Sequence, residues 1–190
     1  MADKPRYYWD ACAWIALIQQ EEGRFDSLSH LIEEAKKGNV EIWTSNFTLA
    51  EVFKRPCDGE KKSLTTADDV PFEDFILQGF VTRVQVDLDV ETLARRLLRA
   101  YPKIGKPQDA IHVATALLNN IDELHTYDRE DLLGLSGKID RKDGAKLKIC
   151  KPPQPPLPQQ PAKTPLEEAI DKASAEDVEN KASGSGGHGQ

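Results

Sequence analysis

Four acidic residues, Asp10, Glu51, Asp109 and Asp128, each come shortly after a run with strand character and stand at or near the start of a run with helix character. In an α/β sheet whose strands run parallel, such junctions share one edge, so acids far apart in sequence converge there. At about 5 Å and an effective dielectric near 20, two carboxylates repel by roughly 3 kcal/mol. A cluster of this kind therefore takes up protons or binds a cation. An all-oxygen donor set without Cys or His selects hard divalent ions, which makes Mg2+ the expected cofactor, with Mn2+ possible. Such a cation contacts phosphate oxygens and activates water, the equipment of phosphodiester hydrolysis. Each acid also has a plainer reading. Asp10 suits a helix N-cap, and Thr48 to Glu51 has the form of a capping box.

The elements that must position these acids follow from periodicity. Arg6 to Trp9 reads as a short aromatic strand, followed by the amphipathic helix ACAWIALIQQ. A second helix spans Phe25 to Lys37 and stops at Gly38. VEIWT, Val40 to Thr44, is the second strand, and Ser45 or Asn46 caps a helix visible as FTLAEVFKR. A polar loop over 57–69 precedes a short helix from Pro71, where Glu73 and Asp74 serve as first-turn acids. VTRVQV, Val81 to Val86, is the third strand, and a helix from Leu88 to Tyr101 follows. Pro107 to Asn119 is a helix with Asp109 in its first turn. A short strand at His125 and Thr126 then enters a new helix start at Asp128. LKIC, ending at Cys150, is a last edge strand.

Arg95, Arg96 and Arg99, with Lys103 and Lys106 beyond them, form the densest basic cluster in the chain. It reads either as a solvated helix face or as a phosphate-docking strip leading to Asp109. His112, three residues past Asp109, reads as a packed helical histidine rather than a general base. Asp131 is either a first-turn acid or a support for the site, and Thr126 either an ordinary strand-end residue or an orienting hydroxyl.

The chain has 190 residues and a formal charge of −7, enough for one ordinary core and too acidic to coat nucleic acid by bulk attraction. Three cysteines, Cys12, Cys57 and Cys150, offer neither a disulfide framework nor a zinc motif. No signal-like or membrane-spanning stretch is legible, so a soluble cytoplasmic protein is expected. Seven of the 12 prolines fall in PPQPPLPQQPAKTP, 152–165. They mark an extended linker between a domain over 1–151 and a weakly helical, flexible tail over 166–190.

The ordered segments YYWDACAWIAL, TLAEVFKRP, PQDAIHVATAL and HTYDRED resemble a PIN domain of the VapC-like kind, the toxin ribonucleases of toxin–antitoxin pairs and their solitary relatives. The resemblance implies a three-layer α/β/α domain with a mainly parallel sheet and Mg2+-dependent endoribonuclease activity. It also implies RNA as substrate, a cognate antitoxin as possible partner, and frequently a homodimer. It assigns catalysis and metal binding to Asp10, Glu51, Asp109 and Asp128, with Thr126 and Asp131 supporting, and Arg95, Arg96, Arg99 and Lys54 docking RNA. One departure is that Ala11 and Cys12 stand where the family usually has a small hydroxyl residue. It keeps open a degenerate module that binds RNA or a protein partner without cleavage. A further alternative is an interaction protein that recruits its partner through the tail.

Overall fold

The structure, a computed structural model of the chain, describes residues 4–52 and 72–156. All but the last of them belong to one compact unit, Met1–Pro155. Its strands are β1 (Arg6–Trp9), β2 (Glu41–Ser45), β3 (Val81–Val84), β4 (Glu123–His125) and β5 (Lys148–Cys150). Its helices are α1 (Ala11–Ile18), α2 (Phe25–Lys36), the single turn α3 (Thr48–Glu51), α4 (Leu88–Ala100) and α5 (Pro107–Leu118). The sheet has the order β3-β2-β1-β4-β5 with every pair parallel.

Parallel strands need coverage on both faces, and β1 shows how the sequence provides it. Successive strand residues point to opposite faces. Tyr8 accordingly packs in a core with Leu97, Val113, Leu117 and Leu124, under α4 and α5. Trp9 packs in a second core with Trp14, Leu28, Ile32 and Ile42, under α1 and α2. The result is the expected α/β/α sandwich. α5 is buried without a break from His112 to Leu117, and its alanines let α4 and the sheet approach closely.

Most elements fall where periodicity places them, with ends shifted by one or two residues, and residues 72–76 are helical as expected; the helix expected over FTLAEVFKR instead stops at Glu51, where Val52 leaves helical geometry. Gly38, at φ 77°, closes α2 as expected, with its N–H bonded to the Ala35 carbonyl and the Asn39 N–H to that of Glu34. Two further expectations need correction. Ser45 does not cap α3 in the expected way, since the N-cap position is Phe47 without a side-chain cap, and Ser45 Oγ accepts from the Phe47 N–H instead. No α-helix begins at Asp128. Thr126 Oγ1 accepts from the Asp128 N–H, and Asp128 Oδ1 accepts from the amides of Glu130 and Asp131. These bonds imitate a helix start, but the chain continues through turns into a single 3-10 turn at Leu133–Leu135. Gly134 and Gly137 in this stretch disfavour a longer helix. The polar loop over 57–69, Lys54, Cys57, Pro71 and the tail over 166–190 lie outside the described residues.

One buried hydroxyl ties the elements below the site together. Thr44 Oγ1 donates to the Trp9 carbonyl at 2.9 Å, accepts from Trp14 Nε1 at 3.2 Å and lies 3.0 Å from Thr48 Oγ1. It thus joins β1, α1, β2 and α3. Thr44→Val keeps the shape and strands the indole N–H. It should cost about 1–3 kcal/mol in urea unfolding, and a change below about 0.5 kcal/mol would show the bonds to be incidental.

Candidate active site

Asp10 follows the last residue of β1 and is buried, 3% exposed. Its Oδ1 accepts from the Ala13 N–H at 3.0 Å, so the N-cap reading holds. Burial raises its pKa; the nearby His112 ring, the Thr126 side chain and the Ala13 amide counter it, while the Glu51 charge adds to the rise. Capping and site membership are therefore compatible.

Glu51 ends α3, and its side chain does not turn back to close a capping box. Its Oε2 instead meets Nε2 of His112 at 2.6 Å. The other ring nitrogen, Nδ1, lies 2.7 Å from the Tyr8 hydroxyl. Tyr8 is fully buried, which holds its phenol protonated far above the ordinary range. The network therefore assigns the Tyr8 O–H as donor to Nδ1 and leaves Nε2–H to donate to Glu51. Sequence reading took His112 for a packed helical residue. It is packed, 1% exposed, and it also holds one of the acids. The available signal was its position one turn after Asp109 on the same helix.

Asp109 sits in the first turn of α5. Burial, opposed by the Lys106 charge and reinforced by Asp128 and Asp131, pushes its carboxyl up to about 6. Its Oδ2 is buried without a hydrogen-bond partner. Carboxylate oxygens of Asp109, Asp128 and Asp131 lie within 4.8 Å of one another. Asp131, assigned a supporting part from sequence, is thus a member of the tight group. Lys106 Nζ lies 3.1 Å from its Oδ2, and a Cβ at Gly105 would come within 3.3 Å of its Oδ1, so glycine is the residue that leaves it room. The tight group comprises Asp109, Asp128 and Asp131 and does not include Asp10 or Glu51. Desolvation first, then the charges of Asp10, Asp128, Asp109 and Glu51, push the Cys12 thiol up to about 12, although the residue keeps an exposed surface.

The basic residues divide differently. Arg95, Arg96 and Arg99 are exposed on α4. Arg96 lines a groove of about 400 Å3 with Leu117 and Leu118, about 13 Å along α5 from Asp109 at 1.5 Å per residue. Lys54 lies outside the described residues.

A second polar cluster was not foreseen. Glu123, His125 and Cys150 bring ligand-type atoms within 4.8 Å of one another on β4 and β5. Burial lowers the pKa of His125 and keeps it neutral, so Nε2–H donates to Glu123 Oε2 at 3.1 Å. Lys148 Nζ and Cys150 Sγ also donate to this carboxylate. The His125 bond foremost, with these two, pulls Glu123 down to about 2. These donors satisfy the Glu123 carboxylate, although Nδ1 of His125 is itself buried without a partner, as is Oδ2 of Asp109.

An all-parallel α/β/α domain with carboxylates gathered beyond its strand ends defines the structural class. The PIN domain family matches residues 7–133, and the chain belongs to that family. No curated protein matches it in sequence. The fold is similar to that of a toxin–antitoxin complex from Klebsiella pneumoniae, with 19% identity, 78% of this chain and 99% of that chain covered, and a TM-score of 0.50. It is also similar to Mycobacterium tuberculosis VapC20, a sarcin–ricin loop cleaving toxin, with 19% identity, 64% and 89% covered, and a TM-score of 0.49. A third similar structure is VapBC2 from Rickettsia felis bound to a promoter DNA fragment, with 17% identity, 65% and 88% covered, and a TM-score of 0.49. At these identities the likeness concerns the fold.

The raised Asp109 carboxyl yields a stability prediction for metal-free protein. A folded pKa of about 6 above the ordinary 3.8 favours folding fully below pH 3.8, and the advantage is lost as pH rises through 6. In EDTA, Asp109→Asn should therefore melt higher than wild type at pH 7.5, on the order of 2–4 °C, and the gap should close toward pH 4. An Asn variant less stable at pH 7.5 would make Asp109 a structural cap.

Proposed function

We propose that this protein is a divalent-cation-dependent endoribonuclease, a VapC-like toxin with a cognate inhibitor. The observation that carries the reading is the gathering of one carboxylate oxygen each from Asp109, Asp128 and Asp131 within 4.8 Å, with Oδ2 of Asp109 buried and unpartnered. A bare carboxylate oxygen at that depth calls for a positive partner, and an all-oxygen set fits Mg2+ or Mn2+. Asp10, Glu51, Asp109 and Asp128 would hold the ion directly or through water, with Asp131 in support. Once bound, it supplies charge stabilisation at a phosphate and an acidified water for attack on phosphorus.

The chain's own groups prepare that chemistry. The Ala13 amide fixes the Asp10 carboxylate, and the Thr126 hydroxyl holds the Asp128 backbone. The Tyr8–His112 pair aims Glu51, and Lys106 offsets the charge of Asp109 and Asp131. Arg95, Arg96, Arg99 and Lys54 remain candidates for the RNA backbone. The fold likeness to the Klebsiella toxin–antitoxin complex is support for a small protein partner, and a homodimer belongs to the same reading. Among the described residues no helix is long and apolar enough to cross a membrane.

The test is cleavage of a generic RNA with Mg2+ or Mn2+ against EDTA. Asp10→Asn and Asp109→Asn should each lose about 100-fold or more. Wild type that never cuts RNA with either ion, or undiminished cutting by Asp109→Asn, would end the proposal. His112→Ala should weaken Mn2+ binding, followed by calorimetry, about 10- to 100-fold, as loss of a residue that orients a ligand does. Unchanged affinity would confine His112 to packing.

A further inference from the structure

The parallel sheet delivers a second set of groups to the edge that carries the acids. Arg24, from the turn after α1, Tyr127 and Arg129, from the segment after β4, and Lys151, directly after β5, line a polar cleft of about 240 Å3 that also has the exposed Glu22 on its wall. None of Asp10, Glu51, Asp109, Asp128 or Asp131 lines the cleft, but Tyr127 and Arg129 flank Asp128 in the chain, which sets the cleft at the same strand-end edge.

Three cations from three distant segments meet there in a chain of net charge −7. Arg24 is held by Glu21, Nη1 to Oε2 at 2.5 Å, and its guanidinium lies over the Tyr127 ring at 4.5 Å from the centroid. Arg129 and Lys151 are exposed. Among the described residues neither has a carboxylate partner, whereas Lys36, Lys37, Lys106, Lys146 and Lys148 each have one. Two uncompensated cations beside a stacked guanidinium and phenol combine phosphate binding with a planar wall. That pairing is how proteins hold unstacked nucleotides of a single strand.

We propose that this cleft is the docking subsite for a single-stranded RNA segment beside the scissile bond, with Arg129 and Lys151 on phosphates and the Arg24–Tyr127 pair against a base. The assignment rests on the nuclease reading for its substrate and moves the principal RNA contact from α4 to the loops after β4 and β5.

The test measures fluorescence anisotropy of a short, unstructured, labelled RNA with the full chain in EDTA, over a range of KCl. Arg129→Glu combined with Lys151→Glu should weaken binding roughly tenfold or more. It should also flatten the slope of log affinity against log salt by about 1.4, two single-strand phosphates at about 0.7 each. Tyr127→Ala should weaken binding about fivefold or more with the slope unchanged, and Tyr127→Phe should retain it. Lys36→Glu, on α2, should bind as wild type, and circular dichroism checks that every variant folds. Cleft variants that bind and cut RNA like wild type, with Arg95→Glu plus Arg99→Glu losing both, would overturn the subsite and leave the nuclease standing. Cleft-dependent binding in a chain that cuts with neither ion would leave an RNA-binding cleft and overturn both the nuclease and the placement beside a scissile bond.

Discussion

Everything at the functional edge depends on one constraint, that all five strands run the same way. Once β2 and β4 both pair parallel to β1, the residues after each strand emerge on the same side. Asp10 follows β1, Glu51 follows β2, Thr126 and Asp128 follow β4, and Lys151 follows β5. Asp109 arrives by another route. α5 feeds β4 and so runs against the strands, which returns its N-terminal turn to the edge where the strands finish. The helix dipole favours a carboxylate in that first turn, but by far less than the crowding of neighbouring acids and the loss of water oppose it.

The domain contains two polar clusters on the same sheet, and their contrast is informative. Around Glu123 every donor finds the carboxylate, and its pKa falls to about 2. Around Asp109 the donors run out, one oxygen is unpartnered, and the carboxyl rises to about 6. The first arrangement satisfies the carboxylate and holds β4 to β5, although Nδ1 of His125 is itself unpartnered. The second is left wanting positive charge. Tyr8 and His112 belong to the support of the second, because the core of the domain is where the orientation of Glu51 is fixed.

Strands and helices with clean periodicity were legible because binary pattern and local caps agreed. β1 and α5 are the clearest instances. The helix expected at Asp128 failed because Thr126 and Asp128 satisfy backbone amides in turns with the same chemistry they would use as caps, so residue type alone does not separate the two outcomes. Asp10, Glu51 and Asp128 could be read as a set because each follows a strand, whereas Asp109 follows α4, so the expectation that a strand precedes it fails. Glu51's link to His112 was not legible, since 61 positions separate the pair and no local spacing encodes a contact between α3 and α5. The Glu123, His125 and Cys150 cluster was hidden for a related reason. Cross-strand register, not spacing along the chain, sets His125 opposite Cys150.

The placement of β1 at the centre has a consequence for biosynthesis. Its first neighbour, β2, follows soon after it in the chain, but its second, β4, is emitted only after residue 122. Long-range parallel pairing of this kind is slow relative to local helix formation. A nascent polypeptide therefore carries Asp10 and Glu51 well before it has an edge on which Asp109 and Asp128 can meet them, and the assembled site exists only once the late segments have left the ribosome.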